Sequence, residues 1–130
     1  PEHCKYEPIE KVLFITEYKP EERASFLKAM NFAKTFQAHI DCLHVEPTHH
    51  QVNNDFINDW NEMIKDKDIL SHSIKGDDVE GIILYFIDLH KINLIAMHVQ
   101  HRSFFEKLFK ISLSKKLAFH INVPILAIHE

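Results

Sequence analysis

Glycine is nearly missing from this chain of 130 residues, which contains two, at positions 76 and 81. Loops that cradle phosphate groups depend on glycine, because the main chain must approach the ligand without a Cβ in the way. The scarcity argues against a conventional nucleotide site. The sequence also has no P-loop, no Gly-x-Ser-x-Gly elbow and no dinucleotide fingerprint after a strand, so we predict that the protein is not an enzyme.

Cysteine and long apolar runs are scarce as well. The two cysteines are Cys4, in a polar segment, and Cys42, in an apolar one. This usage favours a reducing cytoplasm without a structural disulfide. No run of eighteen apolar residues predicts a membrane span, and the polar residues 1–10 do not resemble a signal peptide. The formal net charge of −4 makes neither nucleic acid nor an anionic membrane an expected partner.

The apolar residues that are present fall into short runs and helical repeats. Apolar runs predict five strands, at residues 11–16, 39–45, 69–74, 93–97 and 123–128. Apolar positions at helical spacing predict four helices between them, beginning near Pro20, lying within 48–68, beginning after Asp78, and spanning 103–120. Eleven histidines are scattered along this pattern.

The strict alternation of strands and helices predicts an α/β fold, a parallel sheet with helices on both faces. Ligands of such sheets bind beyond the carboxyl ends of the strands, where the strand order reverses. The residues that follow the predicted strands there are 17–19, 45–46 and 98–103. We expect any binding site to be built from them.

Three segments resemble the universal stress protein family. KVLFITEYKPEERASFLKAMNFAKTFQAHIDCLHV is similar to its amino-terminal half, in which the second strand ends in His-Val. KGDDVEGIILYFIDLHKINLIAM is similar to its Gly-Asp turn, third helix and fourth strand, and HRSFFEKLFKISLSKKLAFHINVPILAIHE to its last helix and strand. The resemblance implies a Rossmann-like, five-stranded parallel sheet of order 3-2-1-4-5 over residues 11–130.

The resemblance also implies how the chain assembles. Family members form dimers, or pseudo-dimers of two tandem domains, through the last strand. The expected interface is therefore Val123, Pro124, Ile125, Leu126, Ala127 and Ile128. Residues 1–10 resemble a leader or a linker between tandem domains, which predicts that the chain is the second domain of a longer protein.

The family's nucleotide signature is not preserved. It consists of Gly, two residues, Gly, nine residues and Gly followed by Ser or Thr, directly after the fourth strand. His98, His101 and Ile111 occupy the glycine positions here, and Ser112 alone is kept. Bulky side chains fill the space that phosphates need, so we expect no ATP binding. The degenerate nucleotide positions are Glu17, Lys19, Val45, His98, His101, Arg102, Ile111 and Ser112.

The same residues allow other interpretations. His98, His101 and His44 could form a zinc site, since imidazoles suit this metal, or they could be polar residues that fill an abandoned site. Arg102 at the start of the last helix could bind an anion, or could be solvated. The basic residues of that helix are interpreted as its solvent face rather than a nucleic-acid surface.

The sequence therefore predicts a non-catalytic stress-response module. It would act by dimerisation and by binding a protein partner, without ATP or another cofactor. Two alternatives remain: a sensor of a nucleotide or other anion at the mouth between the first and fourth strands, and a histidine-based metal-binding variant.

Overall fold

The computed structural model describes residues 8–46, 48, 54–65, 67–101, 103, 106 and 123–129. The strands are β1 (Lys11–Ile15), β2 (His39–Glu46), β3 (Ser71–Lys75), β4 (Leu94–His98) and β5 (Ile125–Ile128). The helices are α1 (Glu22–Thr35), α2 (Asn54–Ile64) and α3 (Val79–Leu89), and a single 3-10 turn (Val99–His101) follows β4.

All five strands are parallel, and their order is β3-β2-β1-β4-β5. This confirms the predicted fold class and strand order. β1 lies at the centre, paired with β2 on one side and β4 on the other. Its residues Leu13–Ile15 are buried on both faces, which is why the run shows no polar alternation.

Strand ends differ from the prediction by one or two residues, for backbone reasons. β5 begins at Ile125 rather than 123, because Pro124 has no N–H to give to a ladder, although its carbonyl oxygen accepts from the Ile95 N–H. β3 is displaced to Ser71–Lys75, since the main chain turns at Ile69, whose N–H donates to Lys67 O.

The sheet separates two apolar layers. On one face Phe26 of α1 and Trp60 of α2 pack against Phe14, and the Phe14 and Phe26 ring centroids lie 5.1 Å apart. On the other face Ile83 and Leu84 of α3 pack against alternate strand residues, which are Leu13, Ile15, Leu43, Val45, Ile95 and Met97. Burial of these side chains on both faces holds the ends of the strands in fixed positions.

The predicted helix at 103–120 lies mostly outside the described residues; Ser103 and Glu106 are helical. Asp78 caps α3 as its sequence position predicts, accepting a hydrogen bond of 3.1 Å from the Gly81 N–H. Among the described residues, no helix has the length and apolar character required to span a bilayer.

Candidate functional site at the carboxyl ends of β1 and β4

The strand order reverses between β1 and β4. The chain leaves β1 towards β2 and leaves β4 towards β5, so a crevice opens beyond the carboxyl ends of these two neighbours. The segment Thr16–Lys19 borders the crevice on the β1 side, and the 3-10 turn Val99–His101 borders it on the β4 side. The first turn of α1 lies between them.

A buried carboxylate occupies this crevice. The Glu22 side chain is 1% exposed, and its oxygens accept hydrogen bonds from the Glu17 N–H at 3.0 Å and the Lys19 N–H at 2.9 Å. The Thr16 hydroxyl donates a third hydrogen bond at 3.1 Å. Charge-assisted hydrogen bonds of this kind can compensate the loss of water around a buried anion.

The backbone at Tyr18 shapes this set of donors, the Thr16 hydroxyl and the N–H groups of Glu17 and Lys19, which we call the anion cradle. Tyr18 has φ of 60°, in the left-handed region that non-glycine residues rarely adopt. A left-handed residue in a loop makes nearby main-chain N–H groups converge on one point, and here the N–H groups on either side of Tyr18 converge on Glu22. The strained conformation is what allows Glu17 and Lys19 to donate to the same carboxylate.

His101 completes the environment of the carboxylate. Its Nε2 lies 2.7 Å from Glu22 Oε1, and its side chain is 18% exposed. The hydrogen bond to Glu22 raises the pKa of His101 above its ordinary value. Burial alone would raise the pKa of Glu22, but the hydrogen bonds from His101 and from the main chain outweigh it and lower that pKa. Both shifts favour the form of the pair in which His101 is an imidazolium and Glu22 a carboxylate.

A second polar contact lies one turn further along α1. The Ser25 hydroxyl oxygen is 2.7 Å from His98 Nδ1 and 3.3 Å from the Ile128 carbonyl oxygen. A carbonyl only accepts, so the single hydroxyl hydrogen goes to Ile128 and His98 Nδ1–H donates to Ser25. Both side chains are buried, and the contact joins α1, β4 and β5.

Aromatic side chains close the adjoining space at the end of β2. The Tyr18 ring is buried against His44 and Trp60, with ring centroids 4.8 Å and 5.7 Å away, and its hydroxyl lies 3.2 Å from Ser71 Oγ. His44 donates from Nδ1 to the Thr16 carbonyl oxygen at 2.9 Å. Its Nε2 is buried, with no hydrogen-bond partner in the part of the chain that the structure describes.

Two solved structures are similar to this fold over nearly its whole length. One is a protein from the universal stress protein family from Burkholderia pseudomallei, with a TM-score of 0.64 and 13% identity, covering 95% of this chain and 98% of that one. The other is a universal stress protein in complex with cAMP, with a TM-score of 0.60, 14% identity and the same two coverages, 95% and 98%. The chain has the universal stress protein fold. No protein-family model and no curated protein matches the sequence.

Within the universal stress protein fold, the predicted crevice residues occupy different environments. Glu17 and Lys19 form an exposed ion pair of 2.9 Å, with both side chains about half exposed. Val45 is buried in the apolar layer beside α3. His98 and His101 are both at the crevice, but they face different partners on α1. Arg102, Ile111 and Ser112 lie outside the described residues.

The three histidines proposed for zinc do not share a site. His44 contacts Thr16, His98 contacts Ser25 and His101 contacts Glu22. Within the described ranges, no three side chains of His, Cys, Asp or Glu are arranged to hold a metal ion. Zinc binding by these histidines stays a prediction.

Another group of histidines lies at the opposite end of the sheet. His39 Nε2 is 2.6 Å from one oxygen of Asp41, and His72 Nε2 is 3.5 Å from the other. His90, beyond the end of α3, stacks on Phe86, whose ring also contacts His72. The buried Asp41 thereby connects β2 to β3, and sequence inspection did not predict this group because its members are distant along the chain.

Glu22, the central residue of the crevice, was not predicted from the sequence. An acid in the first turn of a helix is explained by the helix dipole and is normally solvated. Glu17 stood out instead, because it directly follows the predicted first strand, 11–16. Only the fold shows that Glu17 points to solvent while Glu22 turns back into the crevice.

Proposed function

We propose that this chain is a non-catalytic stress-response module of the universal stress protein type. It acts in the cytoplasm by dimerisation and by binding a protein partner, and it works without a bound nucleotide. The observation that carries this proposal is the Glu22 carboxylate, which occupies the anion cradle at the switch point of the sheet.

The internal carboxylate opposes nucleotide binding in two ways. It takes the Glu17 and Lys19 N–H groups that a phosphate would otherwise use. Its negative charge, held in a partly desolvated crevice, also repels an incoming anion. The glycine positions of the family signature add steric hindrance on the β4 side, because His98 and His101 place imidazole rings there.

Dimerisation through β5 is supported by the character of the two sheet edges. β5 is an edge strand of the described sheet, and Ile125, Leu126 and Ala127 are each partly exposed. An apolar edge with free N–H and C=O groups favours pairing with another strand. The opposite edge, β3, is Ser-His-Ser-Ile-Lys, and its charge and polarity disfavour such pairing.

The hydrogen-bond direction shows which β5 groups remain available. The Ile95 N–H donates to Pro124 O, so residue 124 points its carbonyl towards β4. Alternate residues of a parallel strand point the same way, so Ile125 and Ala127 direct their N–H and C=O groups away from β4. These two residues would carry the backbone hydrogen bonds of a second copy.

A nucleotide sensor is the second candidate function. The neighbour solved in complex with cAMP favours it, since that ligand binds a protein of the same fold. In this chain a cyclic or linear nucleotide would have to displace Glu22 from the N–H groups of Glu17 and Lys19. The two functions therefore differ in whether the Glu22 carboxylate leaves the cradle.

Calorimetric titration with ATP–Mg²⁺ and with cAMP separates the two candidates. The proposed function predicts no saturable heat with either ligand on the native chain. Glu22→Gln removes the internal charge, and Glu62→Gln is the matched control on the exposed face of α2. Saturable binding by the native chain would support the sensor and contradict the proposed function.

Sedimentation of edge variants tests the assembly. Ala127→Pro removes an outward N–H from β5 and leaves the ladder with β4 intact, so the chain should become monomeric. Ser73→Pro is the matched control on β3, where the Cys42 N–H bond to Leu70 O places the Ser73 N–H outward. The β5 interface would be contradicted if the native chain sedimented as a monomer. It would also be contradicted if Ser73→Pro dissociated the dimer and Ala127→Pro did not.

A further inference from the structure

We propose that Glu22 and His101 form a proton-operated latch, in which the protonated imidazole holds the turn after β4 against α1 and loss of the proton releases that turn. The latch would control whether the crevice is open or closed. It depends on the described geometry of the crevice and does not require the proposed function to be correct.

The first support is the position of the two groups. Glu22 belongs to the first turn of α1, and His101 is the last residue of the 3-10 turn Val99–His101. Their contact, at 2.7 Å, spans the crevice between elements that are 79 residues apart in the chain. A single hydrogen-bonded ion pair therefore connects the two walls at this point.

The second support is the unequal anchoring of the pair. Besides His101, Glu22 has three hydrogen-bond donors, which are the Thr16 hydroxyl and the N–H groups of Glu17 and Lys19. The carboxylate therefore stays charged and in place when the imidazole loses its proton. The turn that carries His101 is therefore the wall of the crevice that the proposed latch would release.

The third support is access to protons. The His101 side chain is 18% exposed, whereas the Glu22 side chain is 1% exposed. The imidazole can exchange its proton with solvent while the crevice is closed. A fully buried pair would have to open before it could exchange its proton, which would slow the response to pH.

The groups around His101 act on its pKa in opposite directions, and their net effect raises it. Glu22 is the main cause of the raised pKa of His101, Glu17 raises it further, and Lys19 opposes them. Lys19 is engaged with Glu17, which weakens its effect. His98 is a further titratable group at the crevice, with its ring centroid 6.5 Å from that of His101, and its Nδ1 is directed at Ser25.

The sign of the effect follows from linkage. A histidine whose pKa is raised in the folded state stabilises that state fully below its ordinary pKa of 6.5, and this contribution is lost as pH rises through the raised value. The latch is therefore closed at mildly acidic pH and opens on alkalinisation. Each unit of pKa elevation corresponds to about a tenfold change in the equilibrium between closed and open forms.

Histidine NMR combined with hydrogen exchange tests the latch. The His101 imidazole resonance, identified by its loss in His101→Gln, should titrate above 6.5. Peptides that contain residues 99–101 should lose protection as pH rises through the same midpoint, after correction for the intrinsic pH dependence of exchange. Titration of native His101 at or below its ordinary pKa would overturn the proposal without any variant.

Three variants separate charge from packing. His101→Arg fixes a positive charge, and should keep residues 99–101 protected at alkaline pH. His101→Gln keeps a hydrogen-bond donor without the charge, and should abolish the pH dependence. His129→Gln, at an exposed residue after β5, should behave as the native chain. An unchanged pH dependence of protection in either His101 variant would also overturn the latch.

Discussion

The Ser25 hydroxyl oxygen lies 2.7 Å from His98 Nδ1 and 3.3 Å from the carbonyl oxygen of Ile128. One buried side chain of α1 thus joins the ends of β4 and β5. Ser25→Ala should leave the imidazole N–H and the carbonyl without this partner. We expect a loss of about 1–3 kcal/mol in the free energy of unfolding, measured in urea.

Ser73→Ala is the matched control for this prediction. Ser73 is exposed on β3, and its loss should change stability by no more than about 0.5 kcal/mol. Equal effects of the two substitutions would show that the Ser25 contact contributes nothing specific.

Glu22 should make stability depend on pH in the acid range. Its folded-state pKa is lowered, so its contribution is present above the ordinary pKa of 4.5 and is lost as pH falls through the lowered value. Together with His101, the pair should stabilise the fold most between 4.5 and 6.5. Urea midpoints measured from pH 3 to neutrality should fall less steeply in Glu22→Gln than in the native chain.

Glu62→Gln provides the control for the acid titration. Its carboxylate is 74% exposed and pairs with an exposed Lys65, and such surface pairs contribute little. If the urea midpoints of Glu22→Gln and Glu62→Gln depend on pH in the same way, the buried carboxylate is not the titrating group.

Phe26 should be among the most costly residues to truncate. It is fully buried, and its ring lies 5.1 Å from Phe14 and 4.8 Å from Trp60. Phe26→Ala should lower the free energy of unfolding by about 3–5 kcal/mol, because a cavity remains in the layer between α1 and the sheet. Trp60, the single tryptophan, supplies the fluorescence signal.

Phe36→Ala is the comparison for the core prediction. Phe36 is 47% exposed at the end of α1, so less apolar area is lost and no enclosed cavity forms. Phe36→Ala should therefore lower the free energy of unfolding clearly less than Phe26→Ala does. Comparable losses from the two substitutions would contradict the described packing of α1.

Two residues with the same backbone conformation should respond oppositely to glycine. Lys91 has φ of 54° and an exposed side chain just after α3, so Lys91→Gly should relieve strain and stabilise the chain by up to about 1 kcal/mol. Tyr18 has φ of 60°, but its ring is buried against His44 and Trp60. Tyr18→Gly should therefore destabilise the chain. Thermal unfolding of both variants measures the two effects, and changes in stability of the same sign would contradict this prediction.

Cys42 should be unreactive in the folded chain. It is fully buried in β2, and burial strongly raises the pKa of its thiol. In a Cys4→Ser background, alkylation should be slow in buffer and fast in denaturant, as followed by mass spectrometry. Rapid alkylation without denaturant would mean that β2 is exposed.

The amino-acid pattern was sufficient for much of the architecture. Continuous apolar runs such as residues 12–15 belong to strands covered on both faces, and helical periods between them require crossovers. The parallel class followed from these local signals. The order 3-2-1-4-5 was implied by the family resemblance, and the structure confirms it.

The strand ends were less accessible to sequence inspection. Ile69 and Leu70 continue the apolar pattern, yet β3 begins at Ser71, because the chain is still turning after Lys67. Such limits depend on where neighbouring N–H and C=O groups meet, which a single segment does not encode.

What the sequence by itself determined is therefore the five strands, the first three helices, and the absence of glycine where a phosphate clamp would need it. Only the tertiary structure decided which carboxylate enters the crevice. Glu17 and Glu22 are chemically alike and five residues apart, but Glu17 is solvated while the left-handed turn at Tyr18 aims two N–H groups at Glu22. Hydrogen-bond geometry in three dimensions, rather than residue type, selects between them.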